Sequence, residues 1–167
     1  MLINVLEGKK LPVYGDGSNV RDWLFVEDHC SAINAVHESG CIGETYNIGG
    51  ENEVVNLDLV KEMCRQIDQK ISSYKELIRR YPNSAPAKGY DSELLIQFVA
   101  DRPGHDYRYA IDPSKIAVEL GFRPRMNFKK GLSITLDWYL NNEAWWRNVI
   151  IGKYQDWINQ HYGKYLA

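Results

Sequence analysis

The sequence predicts a mixed domain, α/β or α+β, on three observations. Short runs rich in β-branched and aromatic residues alternate with segments of helical spacing, and glycine or proline punctuates most of the changes between them. The composition is that of an ordinary folded domain, with 44% apolar and 25% charged residues in a chain of 167. That length suits a single domain, read here as spanning residues 1–167, and it allows roughly 70% of the unfolded surface to be buried.

Residues 1–7 read as a helix stopped at Gly8, and "LPVY" (11–14) reads as a strand before the Gly15-Asp16-Gly17 turn. "RDWLFV" (21–26) reads as a second strand feeding a helix through "EDHCSAINAVHESG". Asp28 is its predicted N-cap, and Ala32, Ile33, Ala35 and Val36 lie on its predicted inner face. "GETYNIGG" (43–50) reads as a third strand. The clearest periodicity follows, with Leu57, Val60, Cys64, Ile67 and Ile71 recurring every three or four residues as an amphipathic helix requires. Residues 72–93 carry no period and read as an irregular, insertion-like segment with a helical turn at "YKELIRRY". "LLIQFVA" (94–100) reads as a strand. "YRYAID" alternates as a strand does, with Tyr107, Tyr109 and Ile111 on one face, and Asp112-Pro113 then opens a helix that Gly121 stops. A long aromatic helical stretch begins near Phe128, and "KYQDWINQHYG" follows it.

Several function classes are disfavoured. The net charge is −2 and the basic residues form no dense run, so no nucleic-acid footprint is present. Cys30, Cys41 and Cys64 form no CxxC pair, which predicts neither a zinc site nor a disulfide framework and suits a cytoplasmic setting. No apolar stretch approaches the length of a membrane span, and "MLINVLEGKK" lacks the basic start of a signal peptide. No GxGxxG follows a strand, no tyrosine has a lysine four residues on, and the HExxH, GxSxG and Walker patterns are absent. No catalytic residue and no metal ligand is therefore assigned.

What remains is a set of groups suited to an anion. Arg21, beside a glycine-rich turn, offers a planar fork that matches phosphate oxygens, or it makes a surface pair with Asp22 or a glutamate. Asn56 precedes the clearest helix, where it caps the helix or meets a phosphate or ribose hydroxyl. In "DRPGHD", Asp101 and Asp106 are placed to hold Arg102 and His105 toward an anion around the Pro103-Gly104 turn, or the loop charges are solvated and the histidine is structural. Tyr14 either stacks on a base or faces the core.

"LPVYGDGSNVRDWLFVEDH", "GETYNIGGENEVVNLD" and "DRPGHDYRYAIDPSKIAVELGF", in that order, closely resemble the C-terminal half of the dTDP-glucose 4,6-dehydratases, members of the extended short-chain dehydrogenases. The resemblance implies the substrate-binding portion of such an enzyme without its N-terminal Rossmann NAD-binding domain. It implies that Asp101, Arg102, Pro103, Gly104 and His105 close over a sugar-nucleotide diphosphate that Arg21 also meets. It further implies that Asn56 contacts the nucleotide and that Pro12, Val13 and Tyr14 line its pocket. The family reaction oxidises C4 of the glucosyl group with bound NAD, removes water across C5 and C6, and returns the hydride to C6. Its catalytic groups lie in the N-terminal half, so NAD is expected in the full-length enzymes and not on this chain alone. The expected ligand is dTDP-glucose or a related dTDP-sugar, in a route to 6-deoxyhexoses such as rhamnose, and a separate NAD-binding half is an expected partner. A dTDP-sugar binding module without turnover, an inactive remnant, and an epimerase or decarboxylase relative are the alternatives.

Overall fold

The computed structural model describes residues 1–151. It divides into two compact units, the first running from Met1 to Leu132 and the second beginning at Ser133.

The first unit opens with helix α1 (Leu2–Glu7), which ends where Gly8 turns left-handed at φ 67°. Strand β1 (Leu11–Tyr14) follows, burying Leu11 and Val13 and leaving Pro12 and Tyr14 half-buried, the alternation a strand imposes. The second strand is shorter than the sequence pattern suggests: β2 covers only Val20–Asp22, and helix α2 (Val26–Ser39) already begins at Val26. Asp28 is not the N-cap of α2. It sits buried in the first helical turn, where its Oδ2 accepts from the backbone N–H of Arg125 (3.1 Å) and Met126 (2.9 Å). Only Ala32 of the predicted inner face is fully buried, and Ile33 is exposed. That face is narrower than its spacing implies.

Residues 43–50 form no strand. The third strand, β3, lies at Glu53–Val55 and pairs antiparallel with β2, Arg21 facing Val54. The physical reason is Asp22: its two oxygens take the N–H groups of Gly50 (2.6 Å) and Asn52 (2.8 Å), which bends the chain before pairing begins.

Helix α3 (Asn56–Ser73) is the spine of the unit, with Val60, Met63, Cys64, Ile67 and Ile71 buried as a stripe. Residues 72–93 contain helix α4 (Lys75–Arg80) and 3-10 turns at Pro86–Lys88 and Ser92–Leu95, all packed against α3, with Tyr81, Ser84 and Ala85 buried. The Asp68 carboxylate holds this segment by accepting from the N–H (2.8 Å) and hydroxyl of Ser92. Strand β4 (Ile96–Val99) then pairs parallel with β1, Leu11 opposite Ile96 and Tyr14 opposite Val99.

"YRYAID" is not a strand. It touches β2 at a single bridge between Val20 and Arg108, and Tyr107, Tyr109 and Ile111 are exposed instead of facing a core. Asp112 is not the N-cap of the next helix and Pro113 is not its first residue: Pro113 is the N-cap of helix α5 (Ser114–Leu120), Asp112 accepts from the Ser114 N–H one residue further out, and the helix stops at Gly121, φ 66°. Helix α6 (Phe128–Asn141) carries the chain into the second unit, where α7 (Glu143–Ile151) follows. Within that unit the Trp146 indole donates to the Tyr139 carbonyl (2.9 Å), and Trp138 meets Trp145 edge-on. The predicted "KYQDWINQHYG" piece lies outside the described residues. No helix among them is long and apolar enough to cross a membrane.

Candidate functional site

Because β1 and β4 run parallel, their carboxyl ends lie side by side, and Tyr14 and Val99 each feed a loop on the same edge. Ligands of parallel strands gather at such ends. Gly15 N–H donates to the Val99 carbonyl (3.0 Å), which joins the two loops at their root. A Cβ on Gly15 would touch the Asp101 carboxylate, and Gly15 itself sits at φ 57°, so a side chain there meets both a neighbour and a strained backbone.

Within the Asp101–His105 loop, His105 Nδ1 lies 2.6 Å from Asp101 Oδ1, and the same oxygen accepts the N–H of Arg102 (2.9 Å). The hydrogen bond from His105 holds the Asp101 carboxyl below its ordinary range, helped by the Arg102 backbone and by the charges of both neighbours. The His105 side chain is only 11% exposed and its ring meets Tyr14 edge-on, centroids 6.2 Å apart. Tyr14, Asp101 and His105 are thus one assembly, and Asp101 holds His105.

Arg21 makes no pair with Asp22 or with a glutamate. Its Nη1 donates to the carbonyls of Val20 (2.7 Å) and Tyr107 (3.4 Å), its Nη2 to that of Asp106 (2.9 Å), and its Cζ lies 4.2 Å from the Tyr109 ring centroid. Nearby cations are neutralised: Arg108 forks onto Glu53 (2.7 and 2.8 Å), and Lys115 meets Glu44 at 2.5 Å. Arg21 and Arg102 have no carboxylate at ion-pair distance among the described residues. Both of their charges bear on the Tyr109 phenol, whose pKa is nonetheless raised, chiefly by its hydrogen bond to Asp106. Two guanidinium groups without carboxylate partners therefore share one neighbourhood, an arrangement that attracts a dianion.

Asn56 caps nothing with its side chain. Val55 is the N-cap of α3, and the Asn56 N–H donates to the Asn19 carbonyl (2.8 Å). Asn19, almost fully buried, donates its own amide to the Asp106 carbonyl (3.1 Å), so the helix start and the loop share one residue. Pro12 and Tyr14 are half-buried, whereas the Val13 side chain is fully buried in the core. Asp101, Arg102, Pro103 and Gly104 are exposed. The sequence reading missed Asn19 and Tyr109, both of which structure the site. A tyrosine at odds with a core-facing strand was the only available signal for the second.

Cys64 takes no part, since burial pushes its thiol up to about 12. No cluster among the described residues could hold a metal ion.

The mixed fold with its parallel edge is of the short-chain dehydrogenase type, and the comparisons are specific. The family model described as GDP-mannose 4,6 dehydratase matches residues 1–135, and the chain belongs to that family. A dTDP-glucose 4,6-dehydratase of Neisseria meningitidis serogroup B is 48% identical over 155 residues, covering 93% of this chain and 41% of that protein. Among solved structures, the dTDP-glucose 4,6-dehydratase of Bacillus anthracis in complex with NAD matches with a TM-score of 0.66 at 44% identity, over 88% of this chain and 40% of that one. The Streptomyces venezuelae dTDP-glucose 4,6-dehydratase matches at 0.70 and 38%, over 86% and 38%. The mixed architecture is thus that of the short-chain dehydrogenase type of dehydratase, and the chain spans about two fifths of the length of these relatives.

The relatives crystallised with NAD prompt the question whether these residues seat it. The Gly15-Gly17 turn follows β1 but leads into β2 and not into a helix, so the described residues build no strand-turn-helix cradle for a dinucleotide.

Proposed function

We propose that this chain is the part of a dTDP-glucose 4,6-dehydratase that grips the nucleotide diphosphate of dTDP-glucose. The observation that carries the reading is the convergence of Arg21 and Arg102, neither paired with a carboxylate among the described residues, beside the His105–Asp101 pair. The Arg21 guanidinium spends three N–H groups on carbonyls and keeps Nε and one Nη2 hydrogen for a ligand. Arg102 and His105 supply further donors to the second phosphate. Tyr14 offers an aromatic edge and Asn56 a polar side chain at the start of α3, the places where a base and a ribose would sit. Elimination itself belongs to groups outside these residues, in an NAD-binding half.

Calorimetric titration of dTDP-glucose into the purified chain tests this. The expected result is saturable binding, weaker for UDP-glucose. Arg21→Ala should weaken it by about ten- to a hundred-fold, the size of one or two charge-assisted hydrogen bonds. No binding by a chain that circular dichroism shows to be folded would refute the reading.

A further inference from the structure

Tyr109 is exposed by 48%, too open for a core residue, yet both its backbone and its side chain are fixed. Its N–H donates to the Val20 carbonyl (3.1 Å), while Val20 N–H donates to Tyr107 (2.8 Å), so the segment is clipped to β2 on both sides of Arg108. Its hydroxyl donates to Asp106 Oδ2 at 2.5 Å, and its ring lies against the Arg21 guanidinium with 4.2 Å between Cζ and the centroid. The same Asp106 accepts Arg21 Nη2 at its carbonyl. One face of the guanidinium is therefore covered by an aromatic ring, and one edge is spent on carbonyls. The opposite edge remains.

We propose that Tyr109 is a positioning residue of the anion site: its ring, held by Asp106, keeps the Arg21 guanidinium in the single orientation that leaves its free edge toward the ligand. The inference rests on the nucleotide reading above for what the ligand is, but the orientation of Arg21 is a property of the chain alone. A guanidinium on a flexible stem loses rotamer freedom on binding, and a ring that fixes it beforehand removes that cost from the binding step.

The test uses the full chain with Tyr109→Leu and Tyr109→Phe, and two readouts. The first is the NMR signal of the Arg21 Nε–H without ligand. It should sit upfield under the ring current in the native chain and in Tyr109→Phe, and return to the ordinary arginine position in Tyr109→Leu. The second is the dTDP dissociation constant. Tyr109→Leu should raise it about two- to five-fold, the scale of an exposed cation–π contact, while Tyr109→Phe stays within about two-fold of native. Urea midpoints should be nearly equal in all three, separating positioning from folding. An Arg21 signal identical in all three proteins overturns the proposal, as does unchanged dTDP binding by Tyr109→Leu when Arg21→Ala weakens it. Should the native chain bind no dTDP, the nucleotide reading falls, and the Arg21 signal by itself still decides for or against Tyr109.

Discussion

Replacing Asp22 isolates one carboxylate that organises two segments. Its oxygens accept from Gly50 at 2.6 Å and Asn52 at 2.8 Å, and Gly50 is buried, so its N–H has no water to turn to. Hydrogen bonds to a charged acceptor contribute about 1.5–3 kcal/mol each, and because Asp22 and Asn52 are only half-buried the lower part of that range applies, which sets the loss of both in Asp22→Ala at about 3–4 kcal/mol. Asp22→Asn retains one acceptor oxygen and turns an NH₂ toward the second donor, so about half that loss is expected. With a urea slope of about 2 kcal/mol/M for a chain of this size, the midpoint should fall by about 1.5–2 M in the alanine variant and by about 1 M in the asparagine variant. Urea unfolding followed by circular dichroism gives the midpoints, and amide exchange at Gly50 reports the bond directly. A midpoint shift below about 0.3 M in Asp22→Ala, with Gly50 still protected, would refute the reasoning.

The remaining predictions concern other parts of the molecule. Cys30 and Cys41 are exposed while the Cys64 thiol is buried and pushed up to about 12, so a thiol reagent should modify two cysteines in the native state and the third only on unfolding. Glu62 is lowered to about 2, chiefly by its hydrogen bond to Arg65, from an ordinary 4.5; its contribution is full above about 4.5 and is lost as pH falls toward 2, so Glu62→Gln should flatten that limb of the stability profile in acid titration. Gly8→Ala places a methyl against the Asn83 carbonyl at a left-handed φ of 67°. It should cost at least about 1–2 kcal/mol in denaturant melts, where a change below about 0.3 kcal/mol would contradict the geometry.

The sequence was legible where periodicity and punctuation agreed. The stripe from Val60 to Ile71, the Gly8 and Gly121 stops and the strand at 11–14 appear as expected, and the strand read at 94–100 appears at 96–99, its first two residues belonging to a 3-10 turn. It misled where a distant polar group overruled a local pattern. "GETYNIGG" has strand composition, but Asp22 captures the backbone at Gly50 and Asn52, and pairing starts three residues later. Asp28 looks like an N-cap by position, yet it serves the backbone at Arg125 and Met126, 97 and 98 residues away. "YRYAID" alternates like a strand and pairs at a single bridge, its aromatic face being engaged with Arg21 and not with a core. The charges of the Asp101–His105 loop were visible as a cluster. That Arg102 lacks a carboxylate partner among the described residues was not, since that depends on the neighbouring Asp101 carboxylate being engaged by His105.

The parallel pairing of β1 with β4 also sets an order of events. Leu11 cannot meet Ile96, nor Tyr14 meet Val99, until every residue between them has been synthesised and the long loop has closed, and contacts of such separation form slowly because loop entropy is spent before they are made. Helix α3 needs only its neighbours in sequence to start. The spine of the first unit can therefore exist on a growing chain well before the edge that carries Tyr14 and His105, and the anion site is among the last places in this molecule to acquire its shape.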